Sequence, residues 1–263
     1  MSRPLSRRRL LRAAAGGVGA RLAAPMINRG RFRLFASTMQ EYSRRCIDLV
    51  RGSLVIDMLS PLTISGETQA RWGPGLDGFS DADRAEFMDS EIDVFHIAVG
   101  VGGRTFQEVY DNALMFVANY NAVIANRPDA FVRIDTADDL DRVHGSGRTG
   151  ILIGLQDSSH FRSPADVNAF HALGQRVSQL TYNSRNMIGN GSTERVDGGI
   201  SDFGVAIVER MNEVGMAVDV SHSGDRTTLD ACEVSSRPVL FTHSNSRVLA
   251  DGHPRTKTDE AIR

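Results

Sequence analysis

Lysine is nearly absent from this 263-residue chain: Lys257 stands alone against twenty-nine arginines. The bias runs through the whole sequence and carries no functional weight by itself, and nothing in the charge distribution points to nucleic acid as a partner. Cysteine is scarce as well. Cys46 and Cys232 lie far apart in segments that read as helices, which argues against a disulfide framework and predicts two buried or half-buried free thiols. No apolar run reaches the roughly 20 residues that a bilayer-crossing helix needs. No glycine-rich dinucleotide fingerprint follows any run that reads as a strand.

What is present supports a sizeable core, with 41% hydrophobic and 24% charged residues in a length suited to one large domain. The net charge of −2 is uneven: residues 1–28 hold six arginines and no acid, leaving about −8 for the rest. Ser6-Arg7-Arg8-Arg9-Leu10-Leu11-Arg12 precedes the small, weakly apolar stretch Ala13 to Ala24. That layout is similar to a twin-arginine export signal, with a disordered basic tail as the plainer alternative. The expected organisation is an export signal over 1–28, an N-terminal helix and lead-in over 29–53, and a catalytic-type domain over 54–263. The expected location is the periplasm or the exterior, with no integral membrane segment once the signal is removed.

Apolar runs and helical periodicities then alternate. Strands are predicted at 54–56, 94–99, 150–156, 177–181, 216–220 and 238–242, and helices at 38–50, 80–90, 106–126, 136–145, 163–174, 202–212, 227–234 and 259–263. The run Gly150 to Gln156 is apolar on both faces, as a doubly covered parallel strand should be. Such alternation predicts an α/β fold with a parallel sheet wrapped by helices. Polar residues cluster just after the strand ends, which favours a TIM-type (β/α)8 barrel over an open sheet. The chain supplies about six of the eight βα units, so the barrel is expected to be truncated.

Two of these strand ends carry histidine. Asp219-Val-Ser-His222 and Phe241-Thr-His243 are about one βα unit apart, so neighbouring barrel strands would bring the imidazoles together at a site suited to a divalent metal. His96, His144, His160, His171 and His253 read as hydrogen-bonded core or surface residues; His160, following the third predicted strand, is the least settled of them.

A longer pattern surrounds this pair: Leu180-Thr-Tyr-Asn183, Asn186, Gly189-x-Gly191, Glu194, Asp197-x-Gly199, Ser201-x-Phe-Gly204, Met211-Asn212, Gly215-Met-x-Val-Asp-Val-Ser-His222, Thr242-His243-Ser244 and His253-Pro-Arg255. It resembles the membrane (renal) dipeptidase family of zinc metallopeptidases, from about Leu54 onward and most closely over Leu180 to Arg255. The resemblance implies a barrel holding two zinc ions joined by a bridging carboxylate, a metal-bound hydroxide that attacks the dipeptide carbonyl, and an arginine that holds the substrate or the developing oxyanion. His222 and His243 match the ligands of the second zinc. Arg255 matches the arginine, a solvent-facing loop residue being its plainer reading, and Tyr182 stands where some members place a substrate-binding histidine.

Other positions depart from the pattern. The family's Asp-Gly-His-Asn-Asp at the first strand is here Asp57-Met58-Leu59-Ser60-Pro61, without either first-zinc ligand, and the bridging glutamate is Gln156. Asp57, Asp157 and His160 are candidate replacements, with capping or surface roles the alternative for the last two. One zinc or none is therefore expected rather than two. The expected function is hydrolysis of a small peptide-like substrate by metal-activated water at an altered centre. The alternatives are a catalytically silent barrel that binds such a ligand, or a partial gene product. The resemblance also implies a homodimer.

Overall fold

The computed structural model describes residues 42–60, 71–72, 76–250 and 252–263; the arginine-rich start and Pro61 lie outside them. Elements alternate in the order α1 (Arg44–Arg51), β1 (Ile56–Ser60), α2 (Asp81–Asp89), β2 (Val94–Val99), α3 (Phe106–Asn126), β3 (Phe131–Arg133), α4 (Ala137–Val143), β4 (Thr149–Leu155), α5 (Pro164–Ala172), β5 (Gln175–Gln179), α6 (Asp202–Val214), β6 (Ala217–Asp219), α7 (Asp225–Val234), β7 (Val239–Leu240) and α8 (Asp259–Ile262). Local chemistry sets the helix ends. Ser80 with Asp83 and Thr136 with Asp139 form capping boxes, and Ser201 Oγ accepts from Gly204 N at 3.0 Å to start α6. Gly215 ends α6 in the left-handed region at φ 85°. Among the described residues, no helix is long and apolar enough to cross a membrane.

Every ladder is parallel, and the strands run β1-β2-β4-β5-β6-β7 with β3 beside β4. β2 pairs with β4 from Gly150 to Leu155, so β3 and β5 share the opposite edge. β3 takes Thr149 to Ile151, and β5 takes the end from Ile153 to Leu155. β3 is the strand that the sequence does not announce: its apolar stretch Ala130 to Val132 is cut short by Arg133. The first strand also lies later than expected, at Ile56–Ser60, and the last is only Val239–Leu240.

The sheet is strongly curled. Gln156 follows β4 and His243 follows β7, three strand steps away, which is about 14 Å across a flat sheet. Their Nε2 atoms nevertheless lie 3.5 Å apart. Of the TIM-type expectation, the described residues show the α/β class and a curled, all-parallel half-barrel wall of seven strands. Outside the wall, Ile97, Ile151, Ile153, Leu155 and Val218 pack with the helix residues Val117, Val167, Phe170, Ile207 and Met211. Inside, at the N-terminal ends of the strands, Val94, Ile134 and Val143 pack with Ile56, Val132, Leu140 and Leu152 to form an apolar floor.

One polar ring lies above that floor. His96 is 1% exposed and its Nδ1–H donates to the Met58 carbonyl at 2.8 Å. Its Nε2 is buried without a partner and lies over Gly154, where an added Cβ would sit 2.1 Å from it. Glycine is required at 154 because the imidazole fills the space of its side chain. His160 is also fully buried, its ring centroid 4.0 Å from that of Phe161 and 4.6 Å from that of Phe170. Its nitrogens face two acceptors, the Asp157 carbonyl at 3.0 Å and Gln175 Oε1 at 3.2 Å. Burial outweighs their pull and lowers its pKa to about 4. The two cysteines correct the sequence reading: both are free, as expected, but both are exposed. They lie on the outer surfaces of α1 and α7, and a surface thiol costs a helix little.

Two stability measurements check this packing. Gly154→Ala is expected to cost about 1–3 kcal/mol in urea unfolding through overpacking. Combining it with His96→Ser should cost less than the sum of the two single changes, because the clash partner is removed. His160 gives a pH signature. Its folded pKa lies below the unfolded value of about 6.5, so its contribution is complete above pH 6.5 and is lost as pH falls through 4. The loss is on the order of 3 kcal/mol, and His160→Gln should flatten the fall of the urea midpoint over that interval.

Candidate metal centre

β6 and β7 end side by side, with Val218 opposite Val239 and Asp219 opposite Leu240. The chain leaves both strands toward the same end of the curled sheet, which brings His222 and His243 together. Their Nε2 atoms are 3.0 Å apart, and their ring centroids 5.0 Å. The far side of each ring is engaged: His222 Nδ1 lies 2.7 Å from the side-chain amide of Asn183, and His243 Nδ1 lies 2.7 Å from Thr242 Oγ1. Asn183 reaches this position from a left-handed backbone conformation at φ 59°. Gly191 packs so closely on it that a Cβ would lie 2.0 Å from the Asn183 carbonyl oxygen.

Burial, reinforced by the charge of Arg255, lowers the pKa of His222 to about 3. Burial likewise lowers that of His243 to about 4, opposed by Asp219 and aided by Arg255. Both rings are therefore neutral near pH 7, the form that binds metal. Two neutral imidazole nitrogens aimed at one point fit a zinc-class cation, which favours nitrogen donors. Among the described residues, no group of three or more His, Cys, Asp or Glu able to hold a metal ion forms around them.

The remaining sequence candidates fall into two sets. Gln156 joins the pair, its amide Nε2 3.5 Å from His243 Nε2. Tyr182 stacks on His222 with ring centroids 4.2 Å apart and 22° between planes, and it keeps 40% of its surface exposed. Arg255 is half-buried beside them, but it is not the free loop arginine of the plainer reading. Its Nη2 donates to the His243 carbonyl at 2.8 Å and its Nη1 to the Ser221 carbonyl and, at 3.3 Å, to Ser244 Oγ. The three candidate replacement ligands do not join. Asp157 Oδ1 accepts from Ser159 N at 2.6 Å, Ser159 Oγ at 2.5 Å and Asn186 Nδ2 at 3.1 Å, which makes it the anchor of its loop. Burial raises its pKa. His160 is spent in the core, and Asp57 Oδ1 accepts from Leu59 N at 2.9 Å.

Sequence reasoning passed over Asn183, Thr242 and Asp219 as functional residues, although all three stand within the motifs that surround the histidines. Lys257 was given no role, yet it is 2% exposed, with Nζ donating to the Ser223 carbonyl at 2.8 Å and Thr228 Oγ1 at 3.0 Å. Burial, and then Arg255, lower its pKa to about 8. Its isolation as the single lysine was the available signal.

Comparison with known proteins places this geometry. The chain is 33% identical over 130 residues to Dipeptidase verJ of Clonostachys rogersoniana, covering 48% of this chain and 33% of that one. It is 28% identical over 197 residues to Dipeptidase tcpJ of Claviceps purpurea, covering 66% and 46%. The chain thus spans less than half the length of these curated relatives. Among solved structures, an amidohydrolase from Pseudomonas aeruginosa superposes with a TM-score of 0.66 at 30% identity, over 82% of this chain and 60% of that one. A metallopeptidase from Rhodobacter sphaeroides, solved with a phosphinate mimic of the dipeptide L-Ala-D-Ala, shares the fold with a TM-score of 0.68 at 17% identity, over 80% and 70%. Residues 45–263 match the family described as membrane dipeptidase (peptidase family M19), and the chain belongs to that family.

Proposed function

We propose that this protein is an exported hydrolase of dipeptides or dipeptide-like amides whose centre takes one divalent ion of the zinc class rather than a bridged pair. The observation that carries the reading is the 3.0 Å approach of His222 Nε2 to His243 Nε2, with each Nδ1 engaged elsewhere. A metal ion held there supplies a water of lowered pKa and polarises an amide carbonyl. The chain's own groups have separate tasks. Gln156 is a neutral amide, so it can hydrogen-bond at the centre but adds no charge with which to hold two cations together. Arg255 places a fixed positive charge beside the imidazoles, where a carbonyl oxygen turning negative would be stabilised. Tyr182 covers one face of His222 and offers an exposed ring to a substrate side chain. The arginine-rich start supports export.

Gln156 and Leu59 also favour a second reading, a barrel that binds a peptide-like ligand without cleaving it. Zinc titration of the metal-free full chain, paired with turnover of a dipeptide panel, separates the two. The hydrolase reading expects about one equivalent bound, dropping below about a tenth in His222→Ala and His243→Ala, together with turnover in the native chain. Less than about a tenth of an equivalent in the native chain, with no turnover, overturns it in favour of the silent barrel. The triple change Leu59→His, Pro61→Asp and Gln156→Glu is expected to raise the bound zinc toward ~2 equivalents by restoring a charged bridge.

A further inference from the structure

We propose that Asp219 is a positioning residue that acts through Thr242 to hold the proton of His243 on Nδ1, which leaves Nε2 unprotonated, accepting from His222 Nε2 at 3.0 Å in the metal-free chain and open to a cation. The functional consequence rests on the metal-site reading above, whereas the proton placement does not.

Asp219 is 2% exposed. Its Oδ1 accepts from Ser221 N at 2.9 Å and Ser221 Oγ at 2.6 Å, with Thr242 N more distant at 3.3 Å. Its Oδ2 accepts from Thr242 Oγ1 at 2.8 Å. Every partner of this carboxylate is a donor, as an ionised carboxylate requires. Thr242 has one hydroxyl proton, and the contact to Oδ2 uses it. The Thr242 oxygen can then only accept at its 2.7 Å contact with His243 Nδ1, so that nitrogen carries the proton. Ser221 adds a second tie. With its own proton given to Asp219, its oxygen accepts from His243 N at 3.1 Å. A single buried carboxylate on β6 thereby fixes both the backbone and the ring proton of the histidine beyond β7.

Asparagine at 219 reverses the wiring. Its amide can donate to Thr242 Oγ1, which frees the threonine proton to point at His243 Nδ1 and drives the ring proton to Nε2, where it blocks the donor. Asp219→Asn is nearly isosteric, so its effect is on polarity rather than volume. The companion pair Thr242→Val and Thr242→Ser removes the relay or keeps it.

The test is the tautomer of His243 in the metal-free, 15N-histidine-labelled full chain, read from long-range 1H–15N correlations. His243→Gln assigns the signals. The native chain and Thr242→Ser are expected to carry the proton on Nδ1, and Asp219→Asn and Thr242→Val to carry it mainly on Nε2. Zinc affinity, measured by chelator competition, should fall about 10- to 100-fold in Asp219→Asn and Thr242→Val and change less than about threefold in Thr242→Ser. Retention of the Nδ1 proton in both Asp219→Asn and Thr242→Val overturns the proposal. Should Asp219→Asn fail to fold, the contrast of Thr242→Val with Thr242→Ser decides it alone. A native chain that binds no zinc defeats the metal reading, and the tautomer comparison still decides the role of Asp219.

Discussion

Curvature of the parallel sheet is the constraint on which the rest depends. Gln156 and His243 follow strands three steps apart, and the curl turns their side chains toward each other until their tips lie 3.5 Å apart. Helices cover the convex side with apolar side chains, and the concave side is filled by strand side chains with Leu140 and Val143 of α4. The filling is layered. An apolar floor around Val94, Leu152 and Ile134 lies at the strand starts, and His96 crosses above it over Gly154. The histidine pair stands at the strand ends. The order follows solvent access, because the polar layer sits where the βα loops open.

Around the histidine pair, the cations hold backbone rather than carboxylates. Arg255 donates to carbonyls at the ends of both β6 and β7, and Lys257 donates to the carbonyl of Ser223, one residue beyond His222. The segment that carries them is tied down again by Arg247, whose guanidinium pairs with Asp225 and donates to the Thr256 carbonyl at 2.6 Å. Burial, together with the charges of Arg255 and Lys257, keeps His222 and His243 neutral. A neutral imidazole with an anchored Nδ1 is a prepared ligand, since no ring rotation is needed before a cation is bound and the proton to be displaced is the one shared across the 3.0 Å Nε2 contact.

Much of this was legible in the chain itself. The alternation of apolar runs and helical periods gave the α/β class, because strand and helix burial leave different periods in sequence. The Asp219-to-His222 and Thr242-His243 segments marked neighbouring strand ends, and Gln156, which stands where the resemblance puts a bridging glutamate, lies beside His243 in the fold. β3 was not legible, because Arg133 cuts its apolar stretch off after Val132. The exposure of the cysteines was not legible either, because a helix turns a thiol inward or outward according to what packs on it. Asp157 and His160 were open to a ligand role in sequence, and their neighbours Ser159, Asn186 and Gln175 settle them as anchors of loop and core.

The sequence by itself determined the family, the fold class and the two histidines, since each depends on residue type and spacing along the chain. Only the tertiary structure decided which groups complete the site and in what protonation state. Asn183 meets His222 across 39 residues, Thr242 meets its neighbour His243, and Asp219 reaches that threonine across 23 residues; the two long gaps are closed by the side-by-side pairing of β5, β6 and β7. Burial and proton placement belong to the folded surroundings of an atom, and a linear sequence does not specify those surroundings until the strands have been brought together.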